Sequence, residues 1–397
     1  MNKSYVVSRS WAEIDLDALA SNVRSIRSLM RKNCEVMAVV KADAYGHGAM
    51  RTAPVLLENG VSRLAVSLLD EAINLRENGI EAPILILSYT DPRRAEEVIR
   101  YNLTQTVYSW DLIHALDDAG AKLGAKADVH IKIDTGMGRI GFVSGFNSVA
   151  ETQKICELPN ITVEGIFTHF ATADEVDDEF TRLQFTRFMS ICTELEKQGI
   201  YIPIKHCCNS AATLRYPEMH LDMVRAGLIL FGLLPDNCKE HADRFKPAMR
   251  LKSSVIHVKT LPAGSSVGYG RNYLTDEETV IATIPIGYAD GYNRLMSNRA
   301  HALIQGEMVP VIGNICMDAC MLDVSRLKEP VKVGDEVVLV GRQTWRGRDA
   351  VITFEDLAAW SETISYEVIC VIGKRVPRVF IQNNKVVDVH TDLLPLL

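Results

Sequence analysis

Lys41 closes an apolar run, Val36-Met37-Ala38-Val39-Val40, and is followed by Ala42-Asp43-Ala44-Tyr45-Gly46-His47-Gly48. An ammonium group in such a place is costly unless its amine is used, because desolvation penalises the charged form. A lysine amine whose pKa is depressed in this way is suited to condensing with an aldehyde cofactor. A lysine that merely snorkels to solvent from a strand end explains the motif equally well on its physics alone.

Other polar residues recur where apolar runs end. Lys132 lies inside DVHIKID (128–134), and Arg139 lies in the glycine-rich loop that follows. His169 ends VEGIFTH (163–169), and Asn209 and Ser210 follow PIKHCC (203–208). Arg225 is a second buried cation, within DMVRAGLILFG (222–232), with Gly227 and Leu228 just after it. Together His169, Asn209 and Ser210 can stack on an aromatic cofactor and donate to a phosphate. Singly, His169 reads as a satisfied core histidine and Arg225 as the partner of one buried acid. Polar residues ending four consecutive strands weigh against that.

Later in the chain Tyr269 stands between Gly268 and Gly270, on backbone that can approach a ligand closely. Its phenol, ordinarily titrating near pH 10, needs a neighbouring cation to serve as a base. Tyr288 lies in PIGYADGYNR (285–294), and Met317 and Asp318 in NICMDACMLDV (314–324). Alone, Tyr269 reads as a turn tyrosine, Met317 as core and Asp318 as a turn cap.

The elements that must position these residues follow from the rhythm of the chain. Eight short apolar runs begin at residues 35, 63, 83, 105, 128, 163, 203 and 222, with amphipathic helical stretches between them. The runs are apolar on both faces, as strands of a parallel sheet covered on both sides should be. One helix is expected to open at Asp91-Pro92. Another places Phe180, Leu183, Phe188, Cys192 and Leu195 on one face and stops at Gly199. This pattern predicts an α/β fold, an N-terminal (β/α)8 TIM-type barrel, rather than an open doubly wound sheet, for no glycine fingerprint follows the first strand. From Met249 onward alternating strands and turn signals predict a mainly β second domain. The expected boundaries are 11–246 for the barrel domain and 247–397 for the β domain, with residues 1–10 associated with the latter. SWAEIDL (10–16) alternates and can add a strand to it.

Composition narrows the function classes. The chain has 397 residues, 47% hydrophobic and 23% charged, which fits two globular domains. A net charge of −7, with no basic run interleaved with aromatics, argues against nucleic acid as a partner. The first ten residues hold no stretch like a signal peptide, and no run of about 18 apolar residues occurs, so neither export nor a membrane span is expected. Nine scattered cysteines fit a reducing cytoplasm, and the Cys316–Cys320 spacing does not make a zinc site, so no metal is expected.

Taken together, KADAYGHG, TGMGRIGF, THFATAD, NSAAT, GYADGY, ICMDACMLDV and YEVICVIGKRVPR resemble, in the same order, the motifs of the alanine racemase family. The resemblance runs from Trp11 to Arg378. It implies pyridoxal 5'-phosphate as cofactor, interconversion of L- and D-alanine by two bases, and D-alanine supplied for cell-wall peptidoglycan. Position by position, it makes Lys41 the lysine that carries the cofactor and Tyr269 the opposing base. Tyr45, Asn209, Ser210, Gly227, Leu228 and Tyr366 fall at cofactor-holding positions. His169 is placed against the pyridine ring, and Arg225 at its nitrogen. Arg139 is placed near the substrate carboxylate, and Lys132 at a position carbamylated in some members. Tyr269, Tyr288, Met317 and Asp318 match residues delivered by the second subunit of a homodimer with shared sites. Ala226, Gly268, Asn314, Ala319 and Phe231 depart from the common pattern without removing a catalytic group. They leave open a racemase of serine or broader specificity. A basic amino-acid decarboxylase and a silent cofactor-binding protein are the more distant alternatives.

Overall fold

Ser10–Asp15 (β1) alternates buried and half-buried residues, with Ala12 and Ile14 fully buried. The structure, a computed structural model, describes residues 9–393, the side chain of Phe146 excepted. Its chain divides into two units, one of Ala18–Ala44 and Gly48–Lys246, the other of the chain up to Asp17, Tyr45–His47 and Pro247 onward.

The first unit is the barrel. Its strands are β2 (Glu35–Val39), β3 (Arg63–Val66), β4 (Ile84–Ile86), β5 (Thr104–Val107), β6 (Ala127–Asp134), β8 (Ile161–Phe167), β9 (Ile204–His206) and β10 (Met223–Ala226). A short β7 (Phe142–Val143) flanks β6. The sheet runs in the order β10-β2-β3-β4-β5-β6-β8-β9, and every neighbour pair is parallel. Bonds from Asp222 N to Lys205 O (3.2 Å) and from Arg225 N to Cys208 O (3.0 Å) join the two ends. Strands such as β4 and β10 are buried at every residue, which is why they read as continuous apolar runs.

Three local expectations change. The run 222–232 is not one strand: β10 stops at Ala226, Gly227 turns the chain (φ −124°, ψ −97°), and Leu228–Phe231 forms a 3-10 turn. Asp91 does cap a helix, accepting from Arg93 N, but its first turn, Pro92–Arg94, is 3-10 before Ala95–Arg100 becomes α-helical. In the helix Glu179–Lys197 the buried stripe is Thr181, Gln184, Phe188, Ile191, Cys192 and Leu195, while Phe180 and Leu183 are exposed at 38% and 43%. Gln184 earns its buried place by bonding Ala171 N, Thr135 and His169 O.

The second unit holds β1 and β11–β20: β11 (Met249–Ser254), β12 (His257–Leu261), β13 (Thr279–Ile284), β14 (His301–Ile304), β15 (Glu307–Ile312), β16 (Cys320–Asp323), β17 (Glu336–Trp345), β18 (Arg348–Ile352), β19 (Arg378–Gln382) and β20 (Lys385–His390). They order as β12-β13-β16-β15-β14-β17-β11-β1-β19-β20, with β18 beside β17. Because β1 pairs antiparallel with β11 and parallel with β19, the barrel unit begins after Asp17, not at residue 11. One partner strand on each side fixes β1 more firmly than its place in the sequence does. Residues 1–8, expected with this domain, lie outside the described residues.

Candidate active site

Lys41 follows β2 after one residue, Val40, at the start of a turn no sequence pattern announces. Ala42, Asp43, Ala44 and Tyr45 all have positive φ, between 52° and 54°. Left-handed helix costs non-glycine residues roughly 1–2 kcal/mol each, so the turn must be held from outside. Glu71 Oε1 accepts from Ala42 N at 2.6 Å, and Asp43 Oδ1 accepts from Ala49 N at 2.7 Å. Asp43 O takes Gly48 N at 3.0 Å and Val40 O takes Ala44 N at 2.8 Å, which completes the reversal. The turn after Lys41 is thus braced by two carboxylates, Asp43 within it and Glu71 from outside.

Around the same barrel sit the other cations. Arg225 is 3% exposed and donates to His206 Nδ1 (2.9 Å), Thr168 O (2.8 Å), Cys207 O (3.0 Å) and His169 Nδ1 (3.1 Å). Burial pulls its pKa down to about 10, which leaves it cationic at neutral pH. His169 is held well below the ordinary histidine range, first by burial and then by the charges of Arg225, Lys132, Arg139 and Lys41. It is therefore neutral, with Nδ1 accepting and its proton on Nε2. Lys132 is 2% exposed, donates to Ile133 O at 3.0 Å, and lies 5.2 Å from the centre of the Phe167 ring. Burial, aided by Arg225, lowers its amine to about 7. Phe167 also lies under Arg225 at 5.1 Å, so one aromatic plate carries both cations.

The phosphate-type positions divide. Ser210 Oγ accepts from Gly227 N at 3.0 Å, which ties two of them together, and Leu228 follows, buried. Asn209 spends its side-chain oxygen as the N-cap of Ser210–Arg215, accepting from Ala212 N at 2.9 Å. Arg139 is exposed in a loop shaped by Asp134, whose Oδ1 accepts from Gly136 N and Gly138 N.

In the β unit, Tyr45 is half-buried, and its phenol is pushed up first by desolvation and then by Cys370 and Tyr366 beside it. Gly46 (φ 78°) has no room for a side chain, since a Cβ would stand 2.8 Å from Ile369 O. Arg378 anchors this corner by donating to Gly46 O, Ile372 O, Gly373 O and Val376 O. Tyr269 is 72% exposed, in a turn with Gly268 at φ 73° and Gly270 at φ 75°. Asn314 Nδ2 donates to its carbonyl at 2.6 Å. Tyr288 N and Ala289 N donate to Cys316 O and Met317 O, both at 3.1 Å, so the two motifs lie side by side. Gly287 makes that possible, for a Cβ there would be 2.2 Å from Cys316 O. Asp318 pairs with Arg375 at 2.6 Å. Tyr269, Tyr288 and Met317 thus form an exposed group around the 314–318 segment, with cavities of about 390 and 320 Å³ lined by Tyr269 and Tyr288 respectively.

Residue patterns alone do not single out Glu71, Phe167, His206, His130 or Arg378. Only a buried histidine or arginine inside an apolar strand hints at the last three. With this geometry in hand, residues 14–235 match the family described as "Alanine racemase, N-terminal domain", and residues 248–380 match "Alanine racemase, C-terminal domain". The chain belongs to the alanine racemase family. A relative from Clostridium tetani, named alanine racemase, is 47% identical over 96% of this chain and 97% of its own length. The solved alanine racemase of Clostridium difficile 630 superposes with a TM-score of 0.92 at 42% identity, covering 98% of this chain and all of that one. That of Bacillus anthracis, determined with bound L-Ala-P, gives 0.90 at 36% identity over 98% of this chain and 99% of its own. The barrel-plus-β architecture is shared with these family members.

Proposed function

We propose that the protein interconverts L- and D-alanine with pyridoxal 5'-phosphate, Lys41 carrying the cofactor and acting as one base while Tyr269 of a second copy acts as the other. The observation that carries this reading is Lys41 on its braced left-handed turn, in the same unit as Arg225 and a neutral His169. The donor set suits the cofactor: Arg225 has an Nε–H that bonds nothing among the described residues, and Ser210, whose oxygen already accepts from Gly227 N, keeps its hydroxyl proton for a phosphate beside the Leu228 N–H. When bound, pyridoxal phosphate would supply an aldehyde for the amino group and an electron sink for Cα. Arg225, charged at neutral pH, has no proton to give readily to the ring nitrogen. Inverting Cα then needs a proton removed on one face and returned on the other, which asks for two bases. By the family resemblance, Tyr45 and Tyr366 are phosphate-holding residues, and Arg139, Met317, Asp318 and Tyr288 border the substrate.

The exposure of Tyr269, Tyr288 and Met317, whose proposed roles require a ligand against them, supports a homodimer with shared sites. The enzyme acts in the cytoplasm, where its D-alanine feeds peptidoglycan. All nine cysteines are free, which suits a reducing compartment. No helix among the described residues is long and apolar enough to cross a membrane. Lys132 carries a carbamate: its neutral amine attacks carbon dioxide, a C–N bond forms as one C–O π bond opens and a proton leaves, and the charges of Arg225 and Arg139, both felt by the amine, compensate the anion. Native mass spectrometry should show one added carbon dioxide that Lys132→Ala abolishes, and a wild-type mass without it would refute the modification.

The function is tested with a panel of L-amino acids. Alanine should be racemised with kcat/KM at least about ten-fold above serine, a difference of about 1.4 kcal/mol in transition-state binding. Borohydride reduction and peptide mapping should place the pyridoxyl group on Lys41. A label on another lysine, or turnover of serine equal to alanine, would contradict the assignment.

A further inference from the structure

A line of side chains crosses the barrel interior from Arg225 to a carboxylate on β8. Arg225 lies 2.9 Å from His206 Nδ1. Arginine only donates, so His206 Nδ1 accepts and the ring's proton sits on Nε2. Nε2 is 2.8 Å from His130 Nδ1, which accepts in turn, leaving the His130 proton on Nε2, 3.2 Å from Glu164 Oε2. Arg63 holds the other Glu164 oxygen at 2.8 Å. Every proton is placed by the two ends, a group that only donates and a group that only accepts. Both imidazoles are fully buried, and burial holds both below the usual histidine range.

The strands are shaped around this line. The β6–β8 register pairs Val129 with Val163 but His130 with Gly165, so Glu164 is the extra residue of a bulge, a device that re-aims a side chain. A Cβ on Gly165 would stand 2.6 Å from the His130 ring. Phe167 stacks on His206 with centres 4.6 Å apart and planes 8° from parallel.

We propose that Glu164, His130 and His206 are positioning residues for Arg225, the carboxylate fixing both tautomers so that His206 presents an acceptor and holds the guanidinium in place. What Arg225 does there rests on the racemase reading; how it is held does not. Without the Glu164 acceptor the line can invert. His206 Nδ1–H would then face an Arg225 N–H, donor against donor, and the guanidinium would have to move.

Nitrogen-15 NMR of histidine-labelled protein as purified should show His130 and His206 both neutral and protonated on Nε2. An imidazolium or an Nδ1–H form at either ring would overturn the proposal, with no variant needed. Glu164→Leu, and Gly165→Ala, which displaces His130 without removing a polar group, should mix the tautomers and shift the visible absorption of the bound cofactor. Each should lower kcat about ten-fold, as misplacement of an orienting group does, while KM for alanine holds. Glu164→Gln combined with Arg63→Met, so that no guanidinium competes with His130 for the single amide oxygen, should recover most of kcat and the wild-type absorption. Equal loss in the Gln and Leu variants, or a Leu variant with unchanged tautomers and absorption, would overturn it. Wild-type tautomers as expected in a protein that does not turn over alanine would instead refute the racemase reading alone.

Discussion

Replacing Tyr269 by phenylalanine is expected to abolish solvent-deuterium exchange into L-alanine while leaving measurable exchange into D-alanine. The substitution removes only the phenolic oxygen. The turn survives, because its shape comes from Gly268 and Gly270 and from the Asn314 bond to the Tyr269 carbonyl. The ring is mostly exposed, so the fold loses little packing. Loss of a positioned acid–base group costs about 100- to 10,000-fold in rate, enough to silence one face of the reaction. Lys41 lies in the other unit, and on the proposed two-base reading it keeps its own proton traffic, which by the family resemblance serves the D-enantiomer. Full racemisation fails because each turnover needs both faces. Equal loss of exchange from both enantiomers would mean that one group, not two, moves the proton.

Much of the fold is legible in the residues because its causes are local. Runs such as ILI are apolar on both faces only when both sides of a parallel sheet are covered, and the count of eight closes a barrel. What escaped has non-local causes. The stop of β10 at Ala226 comes from Gly227, whose unusual backbone torsions are not visible in a run that stays apolar through Phe231. Leu183 fits a helical face yet is exposed, because the helix turns Gln184 inward to bond Thr135 and His169 O, far away in sequence. The same holds at the site. Lys41, Arg225 and His169 announce themselves as costly charges or polar groups in apolar strands. The left-handed turn after Lys41 depends on Glu71, and the tautomers around Arg225 depend on Glu164; both carboxylates are ordinary letters in the sequence. β1 belongs to the β sheet because β11 and β19 flank it, a pairing that spans most of the chain.

The central claim is that each site takes Lys41 from one chain and Tyr269 from another. A two-fold dimer built this way holds two composite sites. Lys41→Ala and Tyr269→Ala proteins, each inactive alone, are mixed, unfolded and refolded together. Random pairing makes about half of the dimers heterodimers, each with one site bearing both bases and one bearing neither. Roughly a quarter of wild-type racemase activity should therefore return. If both bases came from the same chain, every site would lack one of them, and activity that stayed at the level of the separate variants would contradict the shared site.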